Sequence, residues 1–220
     1  LDKVALLAGF NEKFTFDFEG ENYLHQMSED QGGFLIGAHI GNWEIAGQLL
    51  ERIKTTVHIL MLEAEHQQIK SLLDSVLTQK RMSIITIKDD YSHLIKIRQA
   101  LQNNEMIALH GDRFIEGSPT VTRKLLGKEA KFPYGPFFMA VKYGKPVSFV
   151  SAVKETNTHY HLYATQPKYY TAGRDKQEIQ DQIDKMLNAY TLEMERVLRI
   201  YPEQWFNYYY FWEPDGNDER

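Results

Sequence analysis

The chain has 220 residues, 43% hydrophobic and 25% charged, with a formal net charge of −5 and no cysteine. That length fits one globular domain, and the composition excludes a disordered chain. The missing cysteines exclude disulfides, thiolate catalysis and cysteine-based zinc sites, and the acidic balance argues against a nucleic-acid partner.

The elements are predicted in chain order from periodicity and turn residues. Residues 14–18 alternate apolar and polar side chains before a Glu-Gly-Glu turn, the pattern of a half-buried strand. Residues 22–30 read as a short helix, broken by Gln31-Gly32-Gly33. Residues 34–38 form a buried strand that ends at His39. Asn42 is a good N-cap, and Trp43, Ala46, Leu49, Leu50 and Ile53 recur at helical spacing after it. Residues 56–62 are a second buried strand. Residues 65–79 place Ile69, Leu72, Leu73, Val76 and Leu77 on one helical face, and residues 82–87 are another β-rich run. Residues 91–104 are helical, with Leu94, Ile97 and Leu101 inward. Residues 105–110 are a strand running into Gly111-Asp112-Arg113.

Residues 114–133 lack long periodicity and read as loop with a hairpin near Gly127. Gly135-Pro136 opens a short apolar helix over 137–143, ended by Gly144. Residues 146–154 and 159–165 are strands expected as antiparallel neighbours. Residues 175–200 form one long helix with Ile179, Ile183, Met186, Leu187, Tyr190, Met194, Val197 and Leu198 inward. Strands alternating with helices predict an α/β fold: a single domain over 1–220, with a mixed, mostly parallel central sheet flanked by helices. Ligands of such sheets sit beyond the carboxyl ends of the strands. His39 and Asp112-Arg113 each follow a strand, so both are expected at one crevice.

Two side chains stand out there. A turn at Gly41 folds His39 back over the start of the next helix, within reach of Glu44. An imidazole oriented by a carboxylate is a general base at neutral pH, worth roughly 10²–10⁴ in rate. The alternative is that Glu44 complements the helix dipole and His39 is packed in the core. Arg113 at a strand end can clamp a phosphate or stabilise an oxyanion, or it can close an ion pair at the sheet edge. Gly135 at a helix start offers a backbone N–H to an anion, or simply starts a helix. Arg123, Lys124, Lys128 and Lys131 cluster in an otherwise acidic chain, either as a dock for an acidic protein or anionic lipid, or as a solvated loop. His159 and His161 share one strand face without a third metal ligand near them in sequence. Eight aromatics between Tyr201 and Trp212 suit a membrane interface or a tail packed on the core.

Four blocks in order carry a family resemblance. Gly37-Ala38-His39-Ile40-Gly41-Asn42-Trp43-Glu44 resembles the H-x4-[DE] block of the lysophospholipid acyltransferase superfamily. It looks most like the late, lauroyl/myristoyl-type acyltransferases of lipid A biosynthesis, whose usual form is close to H-x-G-N-W-E. Leu101-Gln102-Asn103-Asn104-Glu105 through Gly111-Asp112-Arg113 resembles the family's helix–strand–D-[RHQ] segment. Leu125-Leu126-Gly127-Lys128-Glu129-Ala130 through Pro133-Tyr134-Gly135-Pro136 to Ala140 resembles its F-[LF]-G-x-x-A…G-[PT] block. Pro202-Glu203-Gln204-Trp205 resembles its P-E-Q-[WY] element. The resemblance spans residues 14–212.

That resemblance implies a glycerol-phosphate-acyltransferase-like fold and direct acyl transfer, with no covalent enzyme intermediate, no metal and no cofactor. His39 is implied as the base and Glu44 as its orienting partner, with Asn42, Asp112, Arg113 and Gly135 on the substrate side. The implied partners are acyl carrier protein as donor, an amphiphilic lipid acceptor with a free hydroxyl or amine, and a membrane surface. The implied place is the cytoplasmic face of a bacterial inner membrane. No apolar run approaches the ~18 residues of a spanning helix, and no signal-peptide pattern opens the chain. It starts at Leu1 rather than Met, and membrane attachment is expected to be either peripheral or through an N-terminal segment absent from this sequence.

Two departures bear on the acceptor. Lipid A enzymes usually carry a basic pair a few residues after P-E-Q-[WY], where this chain has Tyr210-Phe211. They also usually carry an arginine where it has Met61-Leu62-Glu63. Fewer cations favour an acceptor less anionic than lipid A, such as an aminoacyl lipid or a glycolipid. Two other classes stay open on the sequence: a non-catalytic lipid- or carrier-binding protein on the same scaffold, and a thioester hydrolase using His39 to activate water.

Overall fold

The structure, a computed structural model, describes residues 13–42, 45, 52–62, 82–88 and 90–212. Its elements are β1 (Thr15–Glu19), α1 (Glu21–Asp30), β2 (Gly33–Gly37), β3 (Val57–Leu62), β4 (Met82–Ile87), α2 (Ser92–Gln102), β5 (Met106–His110), β6 (Thr120–Leu125), β7 (Lys128–Pro133), α3 (Tyr134–Tyr143), β8 (Val147–Lys154), β9 (His159–Ala164) and α4 (Lys176–Ile200). A short 3₁₀ turn, Pro202–Gln204, follows α4.

Seven strands form one mixed, mostly parallel sheet in the order β1-β9-β8-β2-β5-β3-β4. β8, β2, β5, β3 and β4 run parallel, whereas β9 is antiparallel to β8 and parallel to β1. β2 sits in the middle and is buried at every position. An uninterrupted apolar run is what a parallel strand covered on both faces requires. Its side chains divide between two cores, Phe34 and Ile36 facing one and Leu35 the other.

The larger core lies under α3 and α4. Asp175 caps α4 by accepting from the backbone N–H groups of Gln177 and Glu178, and the 3.6-residue period then buries Ile183, Met186, Leu187, Tyr190, Met194, Val197 and Leu198. Tyr190 is the centre of this core. Phe132, Phe137 and Phe149 pack edge-on against its ring at centroid distances of 6.2, 5.3 and 5.4 Å. Its hydroxyl donates to the Gly37 carbonyl at 2.8 Å, so α4 is pinned to the very end of β2.

The expected elements within the described residues are present, with three differences. Leu94, expected inward, is exposed, and α2 turns Ile97, Ala100 and Leu101 to the core instead. The hairpin expected near Gly127 is present but takes up more of the stretch read as loop, β6 pairing with β7 from Thr120↔Pro133 to Leu125↔Lys128. Its turn residues Leu126 and Gly127 both have positive φ, the twist that a two-residue hairpin needs. Leu126 is an unusual choice there, and Glu195 of α4 accepts from its N–H at 2.7 Å. Third, α3 begins at Tyr134, ahead of Gly135-Pro136. The helix expected over 65–79, and all of the helix expected after Asn42 except Ile45, Arg52 and Ile53, lie outside the described residues.

The Tyr190 bond gives a test of this packing. Tyr190→Phe keeps the ring contacts and removes one hydrogen bond, so urea denaturation should show a loss of about 1 kcal/mol with an unchanged denaturant slope.

Candidate active site

The pairing of the two central strands builds the site. β2 and β5 run in register from Gly33↔Met106 to Gly37↔His110. Two residues beyond the last pair on each strand come His39 and Asp112, which therefore face each other across the strand ends. Asp112 Oδ1 lies 2.8 Å from His39 Nδ1, and Asp112 Oδ2 accepts from the His39 backbone N–H at 2.9 Å. Trp205 Nε1 adds a third donor to Oδ2 at 3.2 Å. The Asp112 carboxylate is 1% exposed and the His39 side chain 18% exposed.

Burial by itself pushes the Asp112 carboxyl up. The hydrogen bond and the charge interaction with His39, together with His110, outweigh it and hold the group below its ordinary value. Asp112 is thus an ionised carboxylate, and His39 Nδ1 is the nitrogen that carries a proton toward it. Nε2 is left as the basic nitrogen. The His110 ring lies against His39 at a centroid distance of 4.1 Å. Burial first, and His39 second, drive the His110 pKa down to about 3. His110 therefore stays neutral and adds no second positive charge when His39 takes up a proton.

The turn after His39 is held from both sides. On one side, the Asn42 N–H donates to Ala152 of β8 at 2.7 Å. Gly41 has φ 71°, and a Cβ there would sit 1.9 Å from the Ala152 carbonyl oxygen, so no side chain fits. On the other side runs the segment after α4. Gly41 N–H donates to the Gln204 carbonyl at 2.7 Å, and Phe206 N–H donates to the His39 carbonyl at 2.8 Å. The Gln204 side-chain amide accepts from the Lys154 N–H and donates to the Lys154 carbonyl, both at 2.7 Å, which fastens this strap to the end of β8. Tyr209 OH donates to the Asp112 backbone carbonyl at 3.0 Å. Burial and the nearby Asp112 charge push that phenol up to about 12, so it remains a donor.

His39, Asp112, Arg113 and Asn42 come together here as a crevice at the strand ends. One role differs from the sequence expectation, that of Asp112. Among the described residues the carboxylate on His39 is Asp112, not reachable by a substrate at 1% exposure. Glu44, expected to orient His39, lies outside the described residues. Arg113 donates through its guanidinium to the Phe206 carbonyl and lines an open recess of about 310 Å³ with Phe114, Glu116, Tyr208 and Tyr209. Gly135 sits exposed in the first turn of α3, and no hydrogen bond joins it to His39 or Asp112.

Other singled-out residues take structural posts. Arg123 pairs with Asp184 of α4. His159 contacts Thr15, Asp17 and Glu155, and His161 bonds Glu155 and stacks on Tyr163. The aromatic run divides: Phe211 is buried against Phe132 and Trp205, whereas Tyr208 and Tyr210 are 84% and 94% exposed. His110, Tyr209 and Glu116 were not anticipated. Only His110 left a signal, as a polar residue ending an apolar strand directly before Gly111-Asp112.

The lowered Asp112 pKa fixes the sign of a pH effect. Its folded value lies below the 3.8 of a free carboxyl, so its stabilisation is complete well above that value and is lost as pH falls through the folded one. Urea unfolding between about pH 6 and pH 3 should show this loss, and Asp112→Asn should flatten part of the acid-side decline.

The family model described as bacterial lipid A biosynthesis acyltransferase matches residues 10–212. A crystal structure of the 1-acyl-sn-glycerophosphate (LPA) acyltransferase PlsC from Thermotoga maritima is a distant likeness. It has a TM-score of 0.47 and 14% sequence identity, over 88% of this chain and 81% of that chain. No curated protein matches the chain. Matched over nearly its whole length, the chain belongs to the bacterial lipid A biosynthesis acyltransferase family.

Proposed function

We propose that this acyltransferase moves a fatty acyl group from an acyl carrier protein thioester to a hydroxyl or amine of an amphiphilic lipid, with His39 as general base. The observation that carries the reading is the His39–Asp112 pair: a partly exposed imidazole whose Nδ1 faces a buried, ionised carboxylate. Asp112 sets the tautomer and offsets the charge of the imidazolium when it forms.

The acceptor oxygen or nitrogen attacks the thioester carbonyl carbon, and Nε2 takes the proton it loses. The tetrahedral intermediate collapses, the C–S bond breaks, and the leaving thiolate takes the proton back from Nε2. His39 ends as it began, and no bond to the protein forms. With no cysteine in the chain and no G-x-S-x-G elbow, direct transfer needs only this base.

The setting supports work at a membrane surface. Exposed Tyr208 and Tyr210, with Phe206 and Ile115, lie in the segments that carry the recess residues, and aromatic side chains with a polar tip suit a lipid–water interface. Among the described residues no helix is long and apolar enough to cross a membrane. We place the protein on the cytoplasmic face of a bacterial inner membrane, where acyl carrier protein is at hand.

The test is to follow acyl carrier protein thioester in the presence and absence of bacterial lipid extract. Loss of thioester should require the lipid, with label appearing in a new acylated lipid. It should fall by roughly 10²–10⁴ in His39→Ala and by a comparable factor in Asp112→Asn with KM little changed. Thioester loss that ignores the lipid would mean hydrolysis, and loss that ignores His39 would remove it as the base.

A further inference from the structure

We propose that the recess lined by Arg113, the residue after Asp112, seats the acceptor's head group. Arg113 and Glu116 in its lining select a head with one anionic group and one hydrogen-bond donor, ammonium or hydroxyl, over a head with two or more negative charges. The role as an acceptor site rests on the acyl-transfer reading, whereas the binding preference stands without it.

The recess adjoins the base through several links. Arg113 follows Asp112 in the chain, and Tyr209 OH donates to the Asp112 carbonyl at 3.0 Å. Arg113 also holds the Phe206 carbonyl, and the Phe206 N–H is the donor on the His39 carbonyl at 2.8 Å. A molecule bound against Arg113 and Tyr209 therefore touches the residue after Asp112 and the phenol that donates to the Asp112 carbonyl.

The lining suits a head group rather than an acyl chain. It comprises a guanidinium, a carboxylate, two phenols and one phenyl ring around about 310 Å³. A guanidinium has five N–H donors in a fixed fork. Phe206 takes one group, while Arg113 Nε is buried without a hydrogen-bond partner. An anionic oxygen is the natural complement of such a fork. Glu116 is exposed and makes no hydrogen bond or ion pair among the described residues. Its carboxylate accepts from an ammonium or a hydroxyl and repels a second anion. The ring faces of Phe114, Tyr208 and Tyr209 add attraction for an ammonium. The charges of Arg113 and Glu116 cancel, so a head that binds both is itself near neutral. At a site this open to water, one misplaced charge is worth up to about fivefold in affinity.

The test measures binding of the full chain to nonionic detergent micelles doped with one of two lipids. Lysophosphatidylethanolamine carries one phosphodiester and one ammonium; lysophosphatidic acid carries a phosphomonoester. The wild type should bind the first about fivefold more tightly. Glu116→Gln should narrow that ratio to within about twofold, and Glu116→Lys should reverse it. Thermal melts verify that both surface variants are folded. Equal or tighter binding of lysophosphatidic acid by the wild type overturns the proposal, as does a ratio unmoved in both variants. The transfer assay run beside it separates the two readings. Transfer without head-group preference sinks the recess and leaves acyl transfer standing. Head-group preference without any transfer sinks acyl transfer and leaves the recess.

Discussion

The register of β2 against β5 is the constraint on which the site depends. Because Gly37 pairs with His110, the residues two steps beyond each strand end face each other, and they are His39 and Asp112. A slip of one residue would put Ala38 or Ile40 opposite the carboxylate and leave a buried charge without its partner. The pairing is guarded at that point. The Gly37 carbonyl accepts from both the Gly111 N–H and the Tyr190 hydroxyl, which ties both strand ends to the core of α4. Register errors are costly wherever both faces of a strand are buried, and β2 is buried at all of its positions.

The electrostatics follow from that placement. An ionised carboxylate at 1% exposure is expensive unless its oxygens are taken up by donors. Here three donors serve it, two from His39 and one from Trp205. The segment after α4 is thus part of the site although it lies over 160 residues from His39 in sequence. Gln204 fastens it to β8, its backbone pairs with the turn at Gly41, and Trp205 reaches the carboxylate. The P-E-Q-W block acts as a strap whose glutamine and tryptophan have separate jobs. Flanking it, His110 and Tyr209 stay uncharged and add no further charge beside the His39–Asp112 pair.

Much of this was legible in the residues, and the limits have physical causes. Alternation at 14–18, the apolar run at 34–38 and the 3.6-residue period of the long helix each encode a local pattern, and each element formed where it was read. The expectation that His39 and Asp112 share a crevice also followed, since both end strands. Their bond did not. H-x4-E spacing pointed to Glu44, which lies outside the described residues; Asp112 is 73 residues away and is placed by strand register, which no local pattern records. The β6–β7 hairpin was placed by Gly127, but the length of its strands was hard to see because its outward face is lysine-rich and its turn uses Leu126 in a backbone conformation that favours glycine. Leu94 misled through correct periodicity on a helix whose buried face is narrower than the pattern. Glu116 and Tyr209 join the site only through tertiary contact, so no spacing announces them.

The central claim is that Asp112 holds His39 as a base with its free nitrogen at Nε2. Long-range proton–nitrogen NMR of the His39 imidazole tests it directly. The neutral ring should carry its proton on Nδ1, with Nε2 unprotonated, and that preference should weaken in Asp112→Asn. A neutral His39 with its proton on Nε2 would contradict the account, because Nδ1 would then set a lone pair against the carboxylate and no basic nitrogen would face the substrate.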